Sequence, residues 1–91
     1  MLDCEFYESI PEHCRNGMKL YIENGELPGS FLQAVISNKL VEAFGRADST
    51  NTARMWDYGN FLYNKAPMEA WGSEEKMLAW CERKGLKGQD E

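Results

Sequence analysis

From Gly29 to Phe44 the chain reads GSFLQAVISNKLVEAF, bracketed by Pro28 and Gly45. At about 100° per residue, Phe31, Leu32, Ala34, Val35, Ile36, Leu40, Val41, Ala43 and Phe44 point nearly all the way round a helix axis. Gln33, Ser37, Asn38, Lys39 and Glu42 interrupt that surface singly and form no polar stripe. A helix that is apolar on every side belongs inside a fold, so this segment is predicted to be a central helix with neighbours on at least two sides.

The flanking pattern predicts three more helices. Ser9-Ile10-Pro11-Glu12 reads as a start, with Ser9 as cap, Pro11 in the first turn and Glu12 closing a capping box. The helix runs to about Asn24 with an apolar face of Cys14, Met18, Tyr21 and Ile22, and with Glu12, Arg15, Lys19 and Glu23 turned away. Gly17 borders that face. A mid-helix glycine costs about 1 kcal/mol relative to alanine, so its expected use is the close approach of another backbone. Gly25 is the expected left-handed cap, and Glu26-Leu27-Pro28-Gly29 turns the chain into the central helix.

Asp48 is placed to cap a third helix, roughly Ser49 to Asn64, with Met55, Trp56, Tyr58, Gly59, Leu62 and Tyr63 on one side. Phe61 falls out of phase, beside Arg54 and Asp57; an aromatic there is either covered by residues 1–8 or available to a partner. Ala66-Pro67 ends this helix. Ser73 caps a fourth, whose inner stripe is Met77, Trp80 and Cys81 and whose stop is Gly85. Tyr63 and Trp80 are expected in the core. The predicted fold is all-α, a compact single domain of four helices with short loops around the hydrophobic helix at 29–44. Residues 1–9 form an N-terminal extension across the helical body, 10–85 the helical domain, and 86–91 a C-terminal tail.

Composition narrows the class. The 91 residues, 43% hydrophobic and 12% aromatic, suit one folded core. Fifteen acids against ten bases give a net charge of −5, which opposes contact with a phosphate backbone, so no direct nucleic-acid binding is expected. A helix-turn-helix reading of the first two helices fails similarly, because Phe31, Leu32 and Val35 offer no base-reading groups. The charge concentrates in residues 1–45, where seven acids and three bases leave −4. No basic leader and no run of about eighteen apolar residues occurs, which points to a cytoplasmic protein with no membrane partner. Cys4, Cys14 and Cys81 are then free thiols.

Candidate chemistry is sparse. His13, the single histidine, sits in a first helical turn as a surface or cap residue, and GELPG lacks the Lys-Ser/Thr of a phosphate loop. Cys4, His13 and Cys14 fall short of four ligands at paired short spacing, so no metal is expected. No catalytic residue and no cofactor is expected, and the chain reads as no enzyme. Asn38, Asp48 and Asn51 form a polar set read as a structural hydrogen-bond network around the second turn. Trp56, Phe61 and Arg54 form the candidate partner-binding edge, because tryptophan and arginine, with other aromatics, dominate binding hot spots; a homodimer surface is equally possible there.

The ordered series Pro11-Glu12-His13, Tyr21-Ile22, Gly25, Pro28-Gly29, Phe31-Leu32, Ala34-Val35, Asn38, Leu40, Ala47-Asp48, Asn51, Phe61-Leu62-Tyr63-Asn64, Pro67 and Trp71-Gly72-Ser73 resembles a group of small phage and prophage proteins without assigned function. The resemblance implies a phage setting and, with it, a partner that is a host protein or a host defence complex. Three functions arise as expectations. The first is a non-catalytic protein-binding module that inhibits or modulates that host target. The second is an acidic nucleic-acid mimic using Asp3, Glu5, Glu8, Glu12, Glu23 and Glu26; the third is a homo-oligomeric structural or regulatory helper.

Overall fold

Pro11 sets where the first helix begins. In the computed structural model, which describes residues 4–90, α1 runs Glu12–Asn24 with Pro11 itself in the cap position. The expected Ser9 cap does not form, and the Ser9 hydroxyl is buried without a partner. Ile10 is drawn fully into the core, and Pro11 extends the chain before it, so Ser9 lies too far upstream to reach the first turn. Arginines hold this entry instead. Arg15 donates to the Ile10 carbonyl at 2.7 Å and to that of Glu8 at 3.0 Å, and Arg54 donates to Ser9 at 2.9 Å.

The inner face of α1 is as predicted in Met18, Tyr21 and Ile22, all fully buried, with Cys14 half-buried beside them. Glu23 is a correction. It is buried rather than turned away, because the Tyr7 hydroxyl from the N-terminal segment donates to its carboxylate at 2.9 Å. At Gly17 a Cβ would stand 3.2 Å from Leu32 Cδ1, so the close neighbour is a side chain of the next helix and not its backbone. At the far end Gly25 adopts φ 73° and its N–H bonds the Tyr21 carbonyl at 2.9 Å, the closure of an αL cap, while the Glu26 N–H reaches the Leu20 carbonyl at 3.3 Å.

The predicted central helix is two helices. α2 spans Ser30–Ile36 and α3 spans Leu40–Arg46, each seven residues. Asn38 between them takes φ 63°, and the N–H groups of Asn38 and Lys39 close back on Val35 and Ala34 at 3.2 and 2.9 Å. Asparagine tolerates the left-handed conformation because its short amide bonds locally. The Ser37 hydroxyl meanwhile bonds the Gln33 carbonyl at 2.6 Å. Gly72 donates to the Ile36 carbonyl at 2.9 Å, tying the break to the chain that enters the last helix.

The predicted third helix is likewise divided, into α4 at Ser49–Ala53 and α5 at Met55–Asn64. Six helices therefore occupy the described residues where four were expected. Asp48 caps α4 as predicted, accepting from the Asn51 N–H at 2.7 Å. Arg54 occupies the break, paired with Asp57 and donating to Ser9. Beyond it the helical phase differs from the expected stripe: Tyr58, Phe61 and Leu62 are buried, whereas Tyr63, expected in the core, is 79% exposed. The N-terminal segment causes this. A 3-10 turn at Cys4–Tyr7 lays Phe6 edge-on against Phe61 with ring centroids 5.4 Å apart, and Tyr7 adds a second ring at 5.7 Å.

After a short 3-10 turn at Met68–Ala70, Ser73 caps α6, Glu74–Glu82, as predicted. Trp80 reaches across the core, and its indole N–H donates to the Tyr21 and Ile22 carbonyls of the last turn of α1 at 3.0 and 3.1 Å. Gly85, at φ 64°, packs backbone to backbone on Gly25. The C-terminal segment, expected as a tail, is packed: a 3-10 turn at Gly85–Asp90 lies along α1, with Leu86 against the core. Asp3 and residue 91 lie outside the described residues.

Burial pushes the phenols of Tyr7, Tyr21 and Tyr58 well above the usual tyrosine range. A raised folded-state value means the neutral form is the one the fold holds, so this stability is complete below about pH 10 and is lost as pH rises further. Alkaline titration followed by ultraviolet absorbance and circular dichroism is expected to show these phenols ionising together with loss of helix. Their ionisation with the helical signal intact would contradict the packing described.

Candidate protein-binding face

Short as it is, α3 presents two exposed flanks, one charged and one apolar. Lys39, Glu42 and Arg46 lie along one flank, where Lys39 pairs with Glu42 and Glu74 at 3.9 and 3.7 Å and Arg46 pairs with Glu42 at 3.2 Å. Such exposed pairs contribute little stability, but they hold the charged flank toward α6. Ala43 alone points fully inward. The apolar flank faces solvent: Leu40 is 64% exposed, Val41 84% and Phe44 46%. These residues were expected inside the central helix; the left-handed turn at Asn38 swings them out.

Across from them stands α5. A cleft of about 130 Å³ separates the two helices, walled by Leu40 and Ala43 on one side and by Met55, Gly59 and Leu62 on the other. Asn38 and Lys39 supply its polar end, and Trp71 contributes to the lining with its indole nitrogen buried and unpartnered. One step round α5 from Gly59, at about 100° per residue, come Trp56 and Tyr63. Trp56 is 75% exposed. Both helices therefore pass from buried residues, through the cleft, to a lip of large exposed apolar side chains. Gly59 has open space where a Cβ would be and lies at no positive φ, so nothing within the chain requires glycine there.

The residues singled out from sequence separate. Trp56 belongs to this face. Phe61 does not: it is fully buried under Phe6 and Tyr7, and Phe61→Ala is expected to cost about 3–5 kcal/mol of stability and not to act on binding directly. Arg54 is occupied by Asp57 and Ser9 and serves the fold. The polar set divides too. Asn51 is buried, its amide oxygen accepting from the Tyr58 hydroxyl at 2.6 Å, with the Cys14 sulfur at 3.7 to 3.8 Å. Asp48 caps α4 and meets His13 Nε2 at 3.2 Å. Asn38 is exposed at the α2–α3 break and takes no part in that set.

The remaining polar pair serves folding, through a cap, a buried amide and a surface contact with His13. Among the described residues no group of three or more His, Cys, Asp or Glu side chains stands together as a metal set. No helix among them is long and apolar enough to cross a membrane. Of the carboxylates assigned to the mimic, Glu23 is withdrawn from the surface by Tyr7, whereas Glu5, Glu8, Glu12 and Glu26 are exposed. Compared with protein-family models, with curated proteins and with solved structures, the chain matches none.

Proposed function

We propose that this chain is a non-catalytic protein-binding module whose contact surface is the apolar face of α3 and α5. The observation that carries this reading is the solvent-facing apolar flank of α3, where Leu40 is 64% and Val41 84% exposed beside the cleft. Exposed apolar residues scattered singly need no explanation, but a contiguous patch around a cleft is the form of an interaction site. Trp56 and Tyr63 are the natural anchors, since large aromatics at the edge of a pocket carry much of the binding energy in protein interfaces. The partner we propose is a host protein or defence complex in the cytoplasm of a phage-bearing cell, modulated by occlusion; the phage setting rests on the sequence resemblance.

The test compares wild type with Trp56→Ala and Val41→Glu as tagged baits in host lysate, at low and high salt. Both positions are largely exposed, so both variants are expected to fold and to melt within about 0.5 kcal/mol of wild type. A stoichiometric partner held by wild type at high salt and lost from both variants supports the reading. Equal capture by all three removes the face from function, and a partner released by salt from wild type points to the exposed acids and a mimic.

A further inference from the structure

We infer that the α3–α5 face also closes on a second copy of this chain, forming a two-fold dimer that masks the surface until a partner displaces it. The inference rests on this face being a protein-binding surface and adds the identity of its resting occupant. A two-fold interface must be self-complementary, because the same patch serves on both sides. This patch holds both halves of such a fit. The ridge is α3, with Val41 and Phe44 projecting; the recess is the cleft, open at Gly59 between Trp56 and Tyr63. Under a two-fold operation the ridge of each protomer meets the recess of the other, and over Gly59 no side chain of the protomer itself occupies the space the partner would enter.

The area is sufficient. Leu40, Val41, Phe44, Trp56 and Tyr63 together leave roughly 700 Å² accessible on one protomer, close to the ~800 Å² per partner of a standard interface. Charge does not oppose closure, since none of these five is an acidic or basic residue and Lys39, at the polar end of the cleft, is paired with Glu42 and Glu74. The protomer charge of −5 sits elsewhere, so salt is expected to leave the association unchanged or to strengthen it by screening. Helix α3 packs chiefly on α2, so a second copy would also cover an element that its own chain leaves half bare.

Sedimentation equilibrium of the full chain, from about 1 to 100 µM at two salt concentrations, tests this. Wild type is expected to form a dimer with a roughly micromolar Kd. Val41→Glu, which places a carboxylate in the contact, is expected to weaken it by on the order of 100-fold or more. Gly59→Gln, which fills the recess at a position where the fold has room, is expected to do the same, while Leu78→Glu on α6 leaves the dimer unchanged. A wild type that stays monomeric at the highest concentration overturns the inference, and if Trp56→Ala still abolishes capture of a partner, the binding reading survives without it. A dimer that persists in both Val41→Glu and Gly59→Gln overturns it as well, because another surface then makes the contact. Growth beyond two copies would contradict the closed two-fold arrangement.

Discussion

Trp80→Ala is expected to lower stability by about 4 kcal/mol, from the cavity left by a fully buried indole and the loss of its N–H bonds to Tyr21 and Ile22. Against a total near the low end of the usual range of about 5–15 kcal/mol for so small a domain, that leaves little margin for the folded state. The melting temperature should fall by roughly 20 °C, read by circular dichroism. Trp80→Phe keeps most of the volume and loses the donor, so it is expected to cost about 1–2 kcal/mol. The difference between the two measures packing against the bonding that ties α6 to the end of α1. An unchanged midpoint in both would mean that the two helix ends are not joined through this indole.

The second large effect is expected at the glycine contact beside it. In Gly85→Ala the new Cβ would lie 2.6 Å from the Ile22 carbonyl oxygen and 2.7 Å from the Gly25 nitrogen, at a residue held at φ 64°. Left-handed strain and a backbone clash act together, and a loss of roughly 3 kcal/mol or more is expected in urea unfolding. Gly59→Ala is the counterpart. It meets nothing within 4 Å and lies in the middle of α5, so the fold is expected to gain about 0.5–1 kcal/mol from helix propensity. Opposite signs for one chemical change would separate a glycine the fold needs from one it does not. Equal losses at both sites would show that the open space over Gly59 is not there.

The features legible in the sequence are the ones encoded within a few residues. The Gly25 closure, the Asp48 and Ser73 caps and the inner stripe of α1 each depend on local chemistry and appear where the pattern placed them. The illegible features depend on contacts between distant segments. Apolar periodicity runs straight through Ser37 and Asn38, and only the left-handed turn at Asn38 divides the helix, so the exposed flank of α3 reads as core. Asn38 one residue beyond an apolar run was the available signal, since asparagine, like glycine, closes Schellman motifs. Phe61 and Tyr63 exchanged places for a different reason. Which side of α5 faces inward is decided by Phe6 and Tyr7 arriving from the other end of the chain, and no local window contains them.

The candidate face was legible only in part. Trp56 stands out by residue type and is exposed; Arg54 and Phe61, grouped with it in sequence, are consumed by the fold. The cleft, Gly59 and the α3 ridge emerge only once the two predicted long helices resolve into four short ones. Surface substitutions at Val41 and Trp56 therefore report on binding, whereas Phe61 and Trp80 report on stability. Loss of function in the latter pair carries no information about an interface.

Hydroxyl-radical footprinting of the captured complex addresses the α3–α5 face itself, because it reads side-chain exposure residue by residue on the unmutated chain. In the free, dilute protein Val41, Phe44, Trp56 and Tyr63 are expected to label strongly and Phe61 and Trp80 weakly. A bound partner is expected to protect those four and to leave exposed Met68 and Leu78 as reactive as before. Protection that spares α3 and α5 and falls on other parts of the surface would contradict the assignment of this face as the binding site.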